Sequence, residues 1–134
     1  MKSLLLELLH YFLEHAGFET SALESSLTHE KLETVLQYME ENLSEPLDLT
    51  VLAKLVHLHP NYFSQLFKNM LGVSPMYFLK RMRMDKAKVL LEQTTLPITE
   101  IATLVGIEPH YFSRIFKEQE SFTPSDYRNR SLFQ

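Results

Sequence analysis

Thr50-Val-Leu-Ala-Lys-Leu-Val-His-Leu-His-Pro-Asn-Tyr-Phe-Ser-Gln-Leu-Phe-Lys68 and, 49 residues further on, Thr99-Glu-Ile-Ala-Thr-Leu-Val-Gly-Ile-Glu-Pro-His-Tyr-Phe-Ser-Arg-Ile-Phe-Lys117 are two versions of one pattern. Laid over one another without a gap, Leu47 to Arg81 and Leu96 to Arg130 agree at 13 of 35 positions. Where Leu49, Leu52, Leu58 and Leu66 differ from their counterparts, the partner is isoleucine each time. A repeat at fixed offset means one supersecondary unit used twice, here a repeat of two rather than a solenoid.

Each copy reads as a short helix, a tight turn and a second helix. In the first, Thr50 is the expected N-cap of a helix to about Val56, His57 to His59 make the turn, and Pro60 opens the next helix, where its missing N–H costs nothing. In the second, Thr99 is the expected cap, Gly106 supplies the turn and Pro109 opens the helix. Two helices joined through so short a turn form a helix-turn-helix. Phe63, Leu66 and Phe67, with Phe112, Ile115 and Phe116 in the other copy, fall on the helical period and mark the buried faces. The opposite faces are polar. Between the copies, Pro75 to Glu92 is rich in Met, Leu, Lys and Arg with no Gly or inner Pro, so one long helix links them. Pro124 opens a last short helix carrying Tyr127.

Upstream, Leu5, Leu8, Leu9 and Phe12 recur at helical spacing, with Leu4, Tyr11 and Leu13 widening the stripe beyond what a free surface helix shows. Residues 17–28 carry no sustained period and read as a linker. A further helix is expected from Thr28, with Leu32, Val35, Leu36, Met39 and Leu43 on one face, ending near Pro46. The fold expected is therefore all-α: two helix-turn-helix subdomains, homeodomain-like helical bundles, joined by a long helix. Its divisions are 1–28, the end of an upstream segment plus linker; about 29–74, the first unit; about 75–92, the linking helix; and about 96–134, the second unit.

The 134 residues are 45% hydrophobic and 22% charged with 3 Gly, a composition that excludes a disordered or fibrous chain. Absence of Cys excludes disulfide frameworks, thiolate nucleophiles and Cys-based zinc fingers, and fits a reducing, cytoplasmic setting. The longest stretch without Asp, Glu, Lys or Arg, Leu55 to Phe67, has 13 residues, far short of the ~20 of a membrane span, so no membrane is expected. Net charge is −4, but residues 1–46 hold 2 basic and 9 acidic side chains while residues 47–134 hold 11 basic and 8 acidic. The net +3 of the repeated part is compatible with nucleic acid.

Ile98-Thr-Glu-Ile-Ala-Thr-Leu-Val-Gly-Ile107, Tyr111-Phe-Ser-Arg-Ile-Phe-Lys117 and Thr123-Pro-Ser-Asp-Tyr-Arg128 resemble the signature of the AraC/XylS family of bacterial transcription regulators. Leu52-Ala53, Tyr62-Phe63-Ser64, Phe67-Lys68 and Gly72-Val-Ser-Pro75 carry the resemblance into the first copy, and Arg83, Ala87, Leu90 and Leu91 into the linking helix. About residues 30–130 are covered. Two positions depart from the pattern: Ile107 stands for the usual Phe, and Ser121 stands where the first copy keeps Gly72, at a cost of about 1 kcal/mol if φ is positive there. The resemblance implies two readers of double-stranded DNA, about 60–71 and 109–120, each entering a major groove, with the linking helix as spacer between successive grooves roughly 34 Å apart. It also implies an effector-binding domain upstream, of unknown effector, whose last helices dimerise. A homodimer through the N-terminal helix and RNA polymerase are thus the candidate protein partners.

The Phe positions fix which side chains reach bases. In the first copy these are His59, Asn61, Ser64 and Gln65, and in the second Glu108, His110, Ser113 and Arg114. Asn and Gln suit adenine, and the fork of Arg114 suits guanine O6 and N7. Lys68 and Lys117 are phosphate candidates, as are Thr50 and Thr99, whose helix N-termini present backbone N–H groups. Lys80, Arg81, Arg83, Lys86 and Lys88 make the linking helix basic; they either touch phosphates or form structural ion pairs, Arg83 with Asp85 being the pair expected. Phe63, Phe67, Phe112, Phe116 and Tyr127 are core.

No catalytic residues, metal ligands or cofactor site are expected. His57 and His59 are i, i+2 and diverge on a helix, and no His-Glu-x-x-His, serine elbow or glycine-rich phosphate loop occurs. The rival to a DNA reader is a helical protein-interaction or dimerisation module whose duplicated motif has lost DNA binding, a reading that the acidic N-terminal region allows.

Overall fold

The computed structural model describes residues 22–132, and every regular element there is a helix. In chain order these are α1 (Ala22–Glu41), α2 (Leu49–Leu55), α3 (Pro60–Leu71), α4 (Pro75–Gln93), α5 (Ile98–Leu104), α6 (Pro109–Glu120) and α7 (Pro124–Ser131). The two helix-turn-helix units are α2–α3 and α5–α6. The stripe expected on a helix over residues 4–13 lies outside the described residues. Among the described residues, no helix is long and apolar enough to cross a membrane.

Two compact units separate. One joins α1 to Leu47–Leu79; the other joins Leu43–Pro46 to Lys80 and the residues after it. In the first, α1 buries Leu32, Val35, Leu36 and Met39, the i, i+3, i+4, i+7 stripe read from the sequence. Two of its boundaries differ from expectation. α1 is already helical at Ala22, ahead of Thr28, so residues 22–28 of the expected linker are helical. Nothing in Ala22-Leu-Glu-Ser-Ser-Leu breaks a helix, and a helix can form without an apolar period. α1 also stops at Glu41 rather than near Pro46: the Asn42 side chain donates to the Tyr38 carbonyl at 3.0 Å, taking one of the last-turn acceptors.

The two motifs are built alike and capped differently. Asp48, not Thr50, is the N-cap of α2, its Oδ1 accepting from Val51 N–H at 2.8 Å. α5 follows Pro97 and has no side-chain cap, so Thr99 does not cap either. A carboxylate outranks a threonine hydroxyl as a first-turn acceptor, and each threonine falls two residues past the N-cap position. Both helices then end in the same closure. Leu58 N–H donates to the Ala53 carbonyl at 3.0 Å and His57 N–H to that of Lys54 at 3.1 Å; Ile107 to Ala102 at 2.9 Å and Gly106 to Thr103 at 3.1 Å repeat it. This paired bonding places His57 at φ 59° and Gly106 at φ 77°, left-handed in both units. The second helices end alike, with Gly72 at φ 82° and Ser121 at φ 71°. The positive φ foreseen as a cost at Ser121 is therefore present.

Aromatic side chains fix how each second helix seats. Phe63, Phe67, Phe112 and Phe116 are all essentially inaccessible. Phe67 meets Phe63 at 5.9 Å and Phe78 at 5.8 Å between centroids, and Phe116 meets Phe112 at 5.8 Å and Tyr127 at 5.6 Å. Each is an edge-on or tilted contact of the kind aromatic rings prefer. In the second unit Met84, Ala87 and Leu91 of α4 join Ile101, Ala102 and Val105 around Phe112 and Phe116, with Ile107, partly buried, packed against this core.

Candidate nucleic-acid interface

Seating the Phe faces inward turns one side of α3 and of α6 to solvent. His59, Asn61, Gln65 and Lys68 are exposed along the first, with Ser64 half-buried; Glu108, His110, Ser113, Arg114 and Lys117 are exposed along the second. The structure thus gathers the expected residues into two stripes, one per unit. Thr50 and Thr99 are exposed at the second position of α2 and α5.

The chemistry of the stripes differs. His59 is the N-cap of α3, and its Nδ1 accepts from Asn61 N–H at 3.2 Å. Its counterpart Glu108 precedes α6 without capping it. α3 contains no acidic residue, whereas α6 carries Glu118 and Glu120. Arg114, 69% exposed, stacks over the Tyr111 ring at 5.3 Å and stands 4.0 Å from Glu118. An ion pair that open to water is worth little, so the guanidinium edge is available to a ligand. The His110 ring stands edge-on to that of Tyr111, 5.2 Å between centroids.

Several basic residues of α4 are engaged within the second unit. Arg81 pairs with Glu120 at 3.1 Å and Asp85 at 3.5 Å, and Lys88 with Glu120 at 3.2 Å and Asp85 at 3.7 Å. Glu120, the last residue of α6, is thereby tied to α4. Arg83 does not pair with Asp85, because residues two apart on a helix diverge; it donates to the Glu45 carbonyl at 3.0 Å. Burial holds the Arg83 guanidinium below its ordinary pKa. Burial, the hydrogen bond and charge of Glu92, and the charge of Glu120 push the Tyr127 hydroxyl up to about 12; that hydroxyl donates to the Glu92 carboxylate.

Two exposed aromatics escaped the reading of the sequence. Tyr62 and Tyr111 are 57% and 44% accessible, at equivalent positions of α3 and α6. The signal was present in the repeat: both precede the first Phe by one residue, off the buried stripe, yet are the same residue twice.

Comparison with known proteins agrees with this geometry. Residues 52–130 match a helix-turn-helix domain family. The HTH-type transcriptional regulator GbdR of Pseudomonas aeruginosa is 37% identical over 68 residues, 51% of this chain and 18% of the relative. The chain thus spans about a fifth of the length of that relative. A transcriptional regulator with an AraC-type DNA-binding domain from Chromobacterium violaceum superposes with a TM-score of 0.70 at 28% identity, covering 78% of this chain and 94% of that one. The DNA-binding domain of AdpA, solved in complex with a target DNA, gives 0.72 at 27% identity, covering 75% and 91%.

Proposed function

The chain belongs to the AraC/XylS family of bacterial transcription regulators, and we propose that it binds double-stranded DNA sequence-specifically, with α3 and α6 each entering a major groove. The observation that carries this reading is the duplicated geometry: two helices seated by a Phe pair, each turning a stripe of hydrogen-bonding and basic side chains to solvent. Such a helix, second in a helix-turn-helix, is the element that fits the major groove. The DNA held by the AdpA domain supports the same reading.

In this proposal His59, Asn61, Ser64, Gln65, Glu108, His110, Ser113 and Arg114 face base edges. Lys68, Lys117, Thr50 and Thr99 face phosphates, and these fix register. Residues 29–134 form the DNA-binding part. The regulator works in the cytoplasm, recruiting or blocking RNA polymerase, dimerises through the helix expected near its N-terminus, and catalyses no reaction.

Selection of the full chain against a random duplex pool at ~150 mM salt, which suppresses purely ionic binding, tests it. Enrichment of a bipartite motif with two half-sites about one helical turn apart is the expected result. Recovery of no motif would overturn the proposal in favour of a protein-interaction module.

A further inference from the structure

Superposing the register of the two stripes separates shared chemistry from divergent chemistry. Tyr62/Tyr111, Ser64/Ser113 and Lys68/Lys117 are identical pairs, while His59/Glu108, Asn61/His110 and Gln65/Arg114 differ. A phosphate backbone presents the same groups at every site, whereas base edges change with sequence. The identical pairs of long reach, Tyr62/Tyr111 and Lys68/Lys117, therefore suit the backbone, and the divergent residues suit the bases.

Resting on the DNA-binding reading above, we propose that the two units read chemically different half-sites: α3 an A·T element and α6 a G·C element, with Tyr62 and Tyr111 as matched phosphate holders. On α3, Asn61 and Gln65 each carry an amide that matches adenine N6 and N7. His59 adds a donor. Because its Nδ1 accepts from Asn61 N–H, the ring proton sits on Nε2, which then seeks an acceptor such as thymine O4 or a purine N7. On α6, Arg114 offers the planar fork that matches guanine O6 and N7, held in place by the Tyr111 ring. Glu108, an acceptor with no capping bond to make, matches the N4 amino group of cytosine. Both tyrosines are exposed, and a phenol can donate to a phosphate oxygen from either unit alike.

The test compares the full wild-type chain with Arg114→Gln, which installs the residue of the first unit, and with a double Tyr62→Phe, Tyr111→Phe variant, all selected on one random duplex pool. Far-ultraviolet circular dichroism melts check that the variants, altered only at exposed positions, fold as wild type does. Expected for wild type is one half rich in A·T and one containing G·C. Arg114→Gln should exchange guanine for adenine at one position of the G·C half and leave the other half unchanged. The double Phe variant should lose affinity severalfold on every duplex with the motif unaltered. Half-sites of like composition, or an Arg114→Gln motif identical to wild type, would overturn the assignment of bases while DNA binding stands. A double Phe variant with unchanged affinity, or with a changed motif, would overturn the role of the tyrosines. No enrichment by wild type would overturn the DNA reading itself.

Discussion

The two helix-turn-helix units place left-handed residues at the same two positions and make opposite choices there. The first has His57 in its turn and Gly72 after its second helix; the other has Gly106 in its turn and Ser121 after its second helix. Surroundings explain why one of these glycines is obligatory. A Cβ on Gly106 would stand 2.3 Å from the Leu43 carbonyl oxygen and 3.1 Å from the Arg83 guanidinium, whereas one on Gly72 would meet nothing within 4 Å. Positive φ is a graded cost that His57 and Ser121 bear, at about 1–2 kcal/mol for a non-glycine residue. Overlap with backbone is closer to a veto. A left-handed turn thus calls for glycine only when packing also crowds the missing side chain.

The largest effect expected from this contrast is on stability. Gly106→Ala should lower the unfolding free energy by about 3 kcal/mol or more, adding overlap to backbone strain, while Gly72→Ala should cost only about 0.5 kcal/mol. Urea titrations followed by circular dichroism would measure both, and equal losses would break the distinction. Next comes the contrast between the stripes. Arg114→Ala should weaken binding to the preferred duplex by roughly 1–3 kcal/mol and relax preference at one position, while Lys117→Ala should weaken all duplexes alike. Loss of affinity spread evenly over every sequence in the arginine variant would remove its assignment to a base.

A third contrast is Phe78 against Tyr127, equivalent core residues of which only the second titrates. Its hydroxyl, protonated and bonded to Glu92, has a folded pKa raised to about 12. Its contribution to stability is therefore complete below the unfolded value of about 10 and lost as pH rises through about 12. Tyr127→Phe should flatten the alkaline fall in melting temperature between these limits; an unchanged fall would assign it to other groups. The smallest effect should come from Ser121→Gly. Relief of backbone strain less the greater freedom of glycine in the unfolded chain leaves a gain of about 0.5 kcal/mol. A destabilised variant would show that Ser121 contributes something beyond its backbone conformation.

The repeat made much of this architecture legible before any coordinates. Phe63, Phe67, Phe112 and Phe116 set the phase of both second helices, and Gly106 and Pro109 marked turn and restart, because these constraints act between residues close in sequence. What escaped depended on distant partners or on competition between neighbours. Asp48 displaced Thr50 as a cap since two candidate acceptors lay within one turn, and Pro97 left Thr99 no such role. Glu120 joins Arg81 and Lys88, 39 and 32 positions away, and Arg83 finds the Glu45 carbonyl 38 positions away. No periodicity encodes those distances. The helix over residues 22–28 was hidden for the opposite reason, because that stretch lacks the apolar spacing by which helices are recognised.

Sequence-specific recognition by the two exposed stripes is tested most directly by fluorescence anisotropy, titrating the full chain into the duplex it selects and into a shuffled duplex of equal length while salt is raised. About six phosphate contacts should make affinity for both fall with a log–log slope near −5, with the selected duplex still bound at least ~10³-fold more tightly at ~150 mM salt. Equal affinity for the two duplexes, or binding indifferent to salt, would contradict a role for these helices in reading DNA.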